Sequence, residues 1–533
     1  MKKLVVLIVF VMAASGFGCS GSEGGGDAGV DGGVDAGKDG GLPPQDMSEP
    51  LGPGQVRAGV TVKEADMIGG QVTHGRIGDI KLYNSKIRVI VEGVRRSDGW
   101  GSFGGTVADA DVVRPAGTPG QSLFGEYFFG FGCRVQDPSS VTIVNDGRDG
   151  NPAVVRFEGP DADMPFIAAS ALKDILVSTV LNTTITVDYV LPPDSEVMEI
   201  RVSFPWTQLK IRELDMILQV FMMGDGLEIY KQGPGFDAEG QVGDTEIFIA
   251  AGKDVSYGIF GDSETIKKLI KYEGINFYAS PKMDVKRGDL LSFTRRFVVT
   301  GGGVDPVLRW FDASRKTAGL GGVTGRVTEA DGTPAPGARV HVIGDTVDNQ
   351  GHWDQTIADA DGRYSLNVVA GAYRLVPFVD GSPTPAGYPV TVQAGGKAAQ
   401  DLALPAPAYL QFSSKAADNS ALPSKVYMAR AGGADRPPAS FGEMSWGGYQ
   451  WVVNAAKGQG KVRLPSGDYT ITFGRGFEYT VVSNNLTLVA GQQASAEAVL
   501  EKVMDTTGFL NSDFHIHSKD SPDSDVYHED LIE

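Results

Sequence analysis

Residues 321–344 read GGVTGRVTEADGTPAPGARVHVIG, and residues 356–381 read TIADADGRYSLNVVAGAYRLVPFVDG. Gly325 and Val327 open a strand, and Gly332-Thr333-Pro334 with Pro336-Gly337 form a turn ahead of a strand from Ala338 to Val342. Asp361-Gly362 makes a second turn ahead of Tyr364-Ser365-Leu366, and Gly371 precedes Tyr373-Arg374-Leu375. Each glycine supplies a backbone conformation that tight turns need. Short strands punctuated this often predict an all-β unit. The string DADG (359–362) could pass for a metal loop, but a hairpin turn explains the same residues.

The pattern over residues 316–404 is similar to the carboxypeptidase regulatory-like family. That resemblance implies a small β-sandwich of transthyretin or starch-binding-like shape, an accessory or binding module without catalytic residues of its own.

Upstream, residues 56–315 run strand after strand. KIRVIVEG (86–93), AVVRFEG (153–159), TTITVDYVL (183–191), VMEIRVSF (197–204) and LSFTRRFVVT (291–300) alternate apolar and polar residues between Gly, Pro, Asp and Asn. This predicts antiparallel sheets with one buried face, as one large sandwich or two smaller ones. The region broadly resembles the large β-sandwiches of the galactose-mutarotase kind. Helices are expected only at TIKKLIKYE (265–273) and DPVLRWFDASR (305–315). His74 stands alone in this region, as a solvated or hydrogen-bonded side chain. Downstream, residues 405–503 form another β unit, with strands at YLQFSS (409–414), KVYMAR (425–430), YQWVVNA (449–455) and LTLVAG (486–491). Its Trp446, Tyr449 and Trp451 read as core aromatics or as a platform for stacking sugars.

The amino terminus has a different character. Lys2 and Lys3, the apolar run LVVLIVFVMAA (4–14) and small residues up to Cys19 make a secretory signal over residues 1–18. The run is too short to span a bilayer. Gly16-Phe17-Gly18-Cys19 resembles a bacterial lipobox, with Gly16 where Leu is usual. The resemblance implies Cys19 as a lipid anchor and a membrane as partner. Ser20 resembles the sorting signal of outer-membrane lipoproteins. The location expected is therefore the bacterial cell envelope, on the outer membrane. Residues 19–55 are a Gly/Asp-rich tether. Asp27, Asp31, Asp35 and Asp39 recur every fourth residue without the spacing of a calcium loop. With Cys19 acylated, Cys133 has no partner and no intrachain disulfide forms. A formal charge of -19 over 533 residues disfavours nucleic acid as a partner.

The chemistry gathers at the other end. Of six histidines, His515, His517 and His528 fall in DTTGFLNSDFHIHSKDSPDSDVYHEDLIE (505–533). His515 and His517, two apart on a strand, project from one face. Two imidazoles there can ligate a metal ion, and Asp513 and Asp523 add carboxylate oxygens suited to zinc, manganese or iron. A purely structural HxH pair is the alternative.

Ser512-Asp513-Phe514-His515-Ile516-His517-Ser518, followed by Ser521-Pro522-Asp523-Ser524, resembles the first motif of the polymerase and histidinol phosphatase (PHP) metallohydrolases. It is closest to the carbaryl-hydrolase-like branch. Arg475-Gly476-Phe477-Glu478-Tyr479 matches the arginine-glycine-x-glutamate-tyrosine pattern that commonly precedes that motif, and Asp505-Thr506-Thr507-Gly508 resembles its lead-in. The resemblance implies His515, His517 and Asp523 as metal ligands in a centre that activates water for hydrolysis of phosphoesters or related esters. The family's catalytic domain is a distorted β/α barrel, and a closed barrel needs on the order of 200 residues. Residues 504–533 are therefore expected to be its truncated start, inactive as it stands.

The fold expected is thus mainly β: signal, tether, large sandwich region, carboxypeptidase regulatory-like sandwich, second small sandwich and barrel start. No P-loop, GxSxG elbow or HExxH helix is present. Two functions follow: the accessory part of a surface-anchored hydrolase acting on a small-molecule ester, or a non-catalytic lipid-anchored protein that binds glycans through its β modules.

Overall fold

A computed structural model describes residues 46–509, apart from 165–179, 209–216, 237–242, 281–284, 433–436, 443–451 and a few gaps of one or two residues. The signal, Cys19 and most of the tether lie outside the described residues, as do Cys133, the Trp446/Tyr449/Trp451 cluster and residues 510–533. The chain is mainly β, with several sandwich-like sheets. It divides into two compact units. One comprises residues up to 225 with 239–250 and 254–301; the other comprises 226–238, 251–253 and 302 onwards.

In the first unit, one antiparallel ladder runs Ser140–Asn145, Ala153–Asp163, Thr184–Leu191, Val197–Pro205, Leu290–Thr300, Ser256–Phe260. Another passes through Val56–Val60, Ile80–Asn84, Ile87–Val91 and Val107–Val112 to Phe124–Phe131, then Ile217–Met223 and Ile275–Ala279. Alternation puts aromatics from both ladders into a common core. Phe124 meets Tyr257 edge-on at 4.9 Å, and Tyr127 stacks on Phe297 at 5.6 Å. Such pairs contribute about 0.5–1.5 kcal/mol beyond the area they bury. The five strands quoted from the sequence above all form.

The helix expected at 265–273 does not form. Ile266–Tyr272 is a strand paired antiparallel with Ile275–Ala279. Ile266, Leu269 and Ile270 have helical spacing, but the neighbouring strand offers a hairpin partner. A bulge between Lys268 and Ile270 shifts the register there and disguises the period of two. The helix Asp305–Arg315 does form, with Pro306 in its first turn and left-handed Lys316 closing it.

Buried carboxylates pin the loops of the first unit. Asp109 accepts the backbone N–H groups of His74 at 3.2 Å and Gly75 at 3.0 Å. Asp79 takes a two-pronged contact from Arg95, at 2.9 Å on each oxygen. His74 is half-buried and held by this network.

The second unit contains two sandwiches. The first pairs a sheet around Leu320–Thr328 and Arg363–Val369 with a sheet ordered His352–Ile357, Arg339–Gly344, Gly371–Phe378, Tyr388–Val392. Its core holds Val323, Val340, Val342, Leu366 and Leu375. The DADG segment is a hairpin turn. Asp359 Oδ1 accepts the N–H groups of Asp361 at 2.9 Å and Arg363 at 2.8 Å, and Gly362 takes φ +75°. In the second sandwich, Ala408–Ala416 lies between Gln459–Leu464 and Gln493–Leu500. The facing sheet is Val452–Ala455, Ser424–Arg430, Gly467–Gly474, Val482–Leu488. In both sandwiches the first strand pairs parallel with a late one: Leu320–Thr328 with Lys397–Ala399 and Leu402–Ala403, and Ala408–Ala416 with Gln493–Leu500. Arg463 of the second sandwich grips Glu329 of the first with two bonds, 2.8 and 2.9 Å.

Burial raises the Asp109 carboxyl to about 7, against the lowering effect of its backbone donors. A raised carboxyl favours folding most below its unfolded value and loses that contribution as pH rises through 7. Replacing Asp109 by Asn should flatten the pH dependence of the first unit's stability between pH 4 and 7. The slope lost should be up to about 1.4 kcal/mol per pH unit, read by urea titration across that window.

Candidate functional site

The metal ligands expected from the sequence, His515, His517 and Asp523, lie outside the described residues. Among the described residues no group of three His, Cys, Asp or Glu side chains could hold a metal ion. The structure does place the residues that lead to them.

Gly467–Gly474 ends in the turn Arg475-Gly476-Phe477-Glu478-Tyr479. Gly476 takes φ +65°, a left-handed value costly for any residue with a Cβ. Arg475 Nη1 donates to the Pro423 carbonyl at 2.7 Å, and its guanidinium lies 5.7 Å from the Tyr479 ring centre. The turn then grips the outgoing chain. Val503 N–H donates to the Glu478 carbonyl at 2.8 Å, and Thr480 N–H to the Glu501 carbonyl at 2.9 Å. Glu501 N–H returns a bond to Thr480 Oγ1 at 2.9 Å, and Lys502 Nζ lies 3.3 Å from Glu478. Beyond it, Asp505 Oδ1 accepts both the N–H and the hydroxyl of Thr507, at 3.0 and 2.6 Å, and these bonds hold its carboxyl below the ordinary value. The arginine-glycine-x-glutamate-tyrosine string is therefore a clamp that fixes the direction of the lead-in. Phe477, Val481, Val503, Met504 and Phe509 around it are exposed.

The clamp borders a pocket of about 380 Å³, lined among others by Lys425, Asn454, Gly474, Arg475, Phe477 and Glu478. Lys425 stands between Gly474 and Asn454 in the strand register. Among the described residues, neither Lys425 nor Arg475 is paired with a carboxylate, whereas Glu478 is engaged by Lys502.

Sequence reasoning passed over a second group. His341 and His352 sit on neighbouring strands, fully buried on the face of their sheet turned away from Val340 and Val342. His341 Nδ1 lies 2.9 Å from His352 Nε2. His352 Nδ1 lies 3.3 Å from the Tyr230 hydroxyl, which donates to the His352 carbonyl at 3.0 Å. His341 stacks on Phe441 at 3.8 Å with the rings almost parallel. One proton arrangement fits: His341 donates to His352, His352 to Tyr230, and Tyr230 to the backbone. His341 Nε2 is left as a buried lone pair with no hydrogen-bond partner. Burial lowers His352 to about 3 and His341 well below its ordinary value, the neighbouring imidazole adding to the effect on His341. The only hint in the sequence was two histidines eleven apart, too far to suggest a pair without the strand register.

Asp305 and Asp354 make a third group, bonded to each other at the start of the helix, with Arg309 2.6 Å from Asp305. Burial pushes Asp305 up to about 6 and Asp354 well above its ordinary value, the adjacent Asp305 carboxyl adding to the latter. They are a proton-sharing brace against Asn367, whose N–H donates to Asp305 at 2.8 Å.

Residues 322–405 match the carboxypeptidase regulatory-like domain family, as their strand pattern led us to expect. No curated protein sequence matches the chain. Solved structures with local likeness include the shaft pilin SpaA from Lactobacillus rhamnosus GG. It is 11% identical with a TM-score of 0.24, covering 36% of this chain and all of that one. The minor pilin GBS52 from Streptococcus agalactiae is 13% identical with a TM-score of 0.20, covering 36% of this chain and all of that one. No helix among the described residues is long and apolar enough to cross a membrane.

Two imidazoles kept neutral by burial bind protons more readily in the unfolded chain. As pH drops below about 6.5 each imidazole should therefore take away up to about 1.4 kcal/mol of stability per pH unit, while the raised Asp305 and Asp354 carboxyls act in the opposite sense. Relative to the parent, a His341→Phe variant should gain up to about 1.4 kcal/mol per pH unit on acidification, measured by denaturant titration of both proteins from pH 7 to 4.

Proposed function

We propose that this chain carries the β modules and the first ligand motif of an envelope-anchored, metal-dependent hydrolase of the PHP kind, in the carbaryl-hydrolase-like branch. The observation that carries the reading is the order of two strings. The clamp at Arg475–Tyr479 is hydrogen-bonded to the segment that runs, through Asp505–Gly508, into Asp513-Phe514-His515-Ile516-His517. Such a clamp has a purpose where the following segment must leave its sandwich in a set direction. The exposed Val503, Met504 and Phe509 on the outgoing chain suit a surface on which a further folded layer rests.

The donor set fits a metal. Two imidazoles and a carboxylate suit zinc, manganese or iron, and neutral imidazole with ionised carboxylate is the form available at neutral pH. His515 and His517, with Asp523, would hold the ion, which when bound supplies an activated water for ester hydrolysis. The carboxypeptidase regulatory-like sandwich and its neighbour contribute position and rigidity. Cys19, with its acyl chains, would hold the protein on the outer membrane, and the acidic tether would set it off from the surface.

Full-length protein should take up zinc or manganese in a calorimetric titration, and a His515→Ala/His517→Ala double variant should bind it at least about tenfold more weakly. Equal uptake by the two would end the metal reading. In cells, a Cys19→Ser variant should move from the membrane fraction to the soluble fraction. Unchanged membrane association would remove the lipid anchor from the proposal.

A further inference from the structure

We infer that the pocket beside the clamp is a binding site for an organic anion, a phosphate or carboxylate group attached to a flat apolar body. The inference stands on the second sandwich alone and does not require the metal reading.

The first observation is charge. The chain has 47 Lys and Arg against 66 Asp and Glu, so two cations lining one pocket stand out against an acidic background. Lys425 and Arg475 line the same pocket, and among the described residues neither has a carboxylate partner. The carboxylate that also lines it, Glu478, is offset by Lys502 at 3.3 Å. The pocket thus carries a local surplus of positive charge within a molecule of formal charge -19. Arg475 spends one nitrogen on the Pro423 carbonyl, which fixes the plane of its guanidinium and leaves its other donors for a ligand.

The second observation is shape. The strand position next to Lys425 is Gly474. A Cβ built there would meet only Val481 Cγ2 within 4 Å, at 4.0 Å, so the space beside Lys425 at this strand position is left open. Asn454, on the other side of Lys425, adds an amide that can donate to an oxyanion. The wall is Phe477, which remains 66% exposed at the tip of a turn bent by left-handed Gly476. An apolar ring held out in water beside two uncompensated cations matches a ligand with a charged head and a flat apolar body. At 380 Å³ the space is of the size that small-molecule sites occupy.

The probes are phenylphosphonate, benzoate and inorganic phosphate, titrated calorimetrically into the full chain in the presence of EDTA. Phenylphosphonate or benzoate should bind saturably, and whichever binds more tightly identifies the head group. Inorganic phosphate, without the ring, should bind at least about tenfold more weakly than the better aromatic anion. Lys425→Ala should cost about tenfold for the aromatic anion, and Phe477→Ser should cost a similar factor for it while leaving inorganic phosphate unchanged. Both positions are exposed, and unchanged thermal melting would confirm that the sandwich is intact. The His515→Ala/His517→Ala variant should bind as the parent does, which separates this site from the metal reading. No saturable binding by the parent below about 10 mM would overturn the assignment. So would equal affinity in Lys425→Ala, or a loss of binding in the double histidine variant.

Discussion

The sheet built on Arg339–Gly344 is buried on both faces, and much else in the second unit follows from that constraint. Its inner face forms the sandwich core around Val340, Val342 and Leu375. Its outer face is covered by Tyr230 and Phe236 from far upstream and by Phe441 from the next module. A one-faced sheet would leave His341 and His352 in water, where imidazoles are at ease. A two-faced sheet forces them into an apolar layer, where each must be neutral and must share its polar atoms with the other. The relay to Tyr230 is how that demand is met. It also ties Tyr230 and Gly233 to the regulatory-like sandwich by hydrogen bonds as well as by packing.

The same logic governs the acidic groups. Several carboxylates of this acidic chain are buried, and three of them hold neighbouring segments in place. Asp109 receives loop amides, Asp79 receives Arg95, and Asp305 holds the helix start against a neighbouring strand. The raised proton affinities of Asp109 and Asp305 record the cost of the location, because the apolar surroundings penalise the charged form more than the local donors favour it.

How far the sequence foretold this varies with the range of the forces involved. Alternation and turn residues were enough to find the strands at 153–163, 197–205 and 290–300, because each follows from its own side chains and a local turn. Ile266–Tyr272 misled, since its helical spacing is overruled by a partner strand and a bulge that only the tertiary structure supplies. The regulatory-like sandwich was readable because its glycines fall at turns, as at Gly362. Of the site, the clamp string was legible as a pattern, but its role was not: the bonds from Glu478 and Thr480 to residues 501–503 join positions more than twenty apart. The pairing of His341 with His352 was invisible for a similar reason, since it depends on a bulge between Val342 and Ile343 that sets the register.

The parallel strand pairs at the edges of the two small sandwiches have a mechanical consequence. Where the first and last strands of a module run side by side in the same direction, the chain enters at one end of the module and leaves at the other. A pull along the chain then drags Ala408–Ala416 and Gln493–Leu500 past one another lengthwise, so the ladder from Tyr409–Gln493 to Ala416–Leu500 is loaded together and does not unzip rung by rung. Leu320–Thr328 against Lys397–Ala399 and Leu402–Ala403 repeats the arrangement. Each module is thereby built to resist tension applied between its two ends.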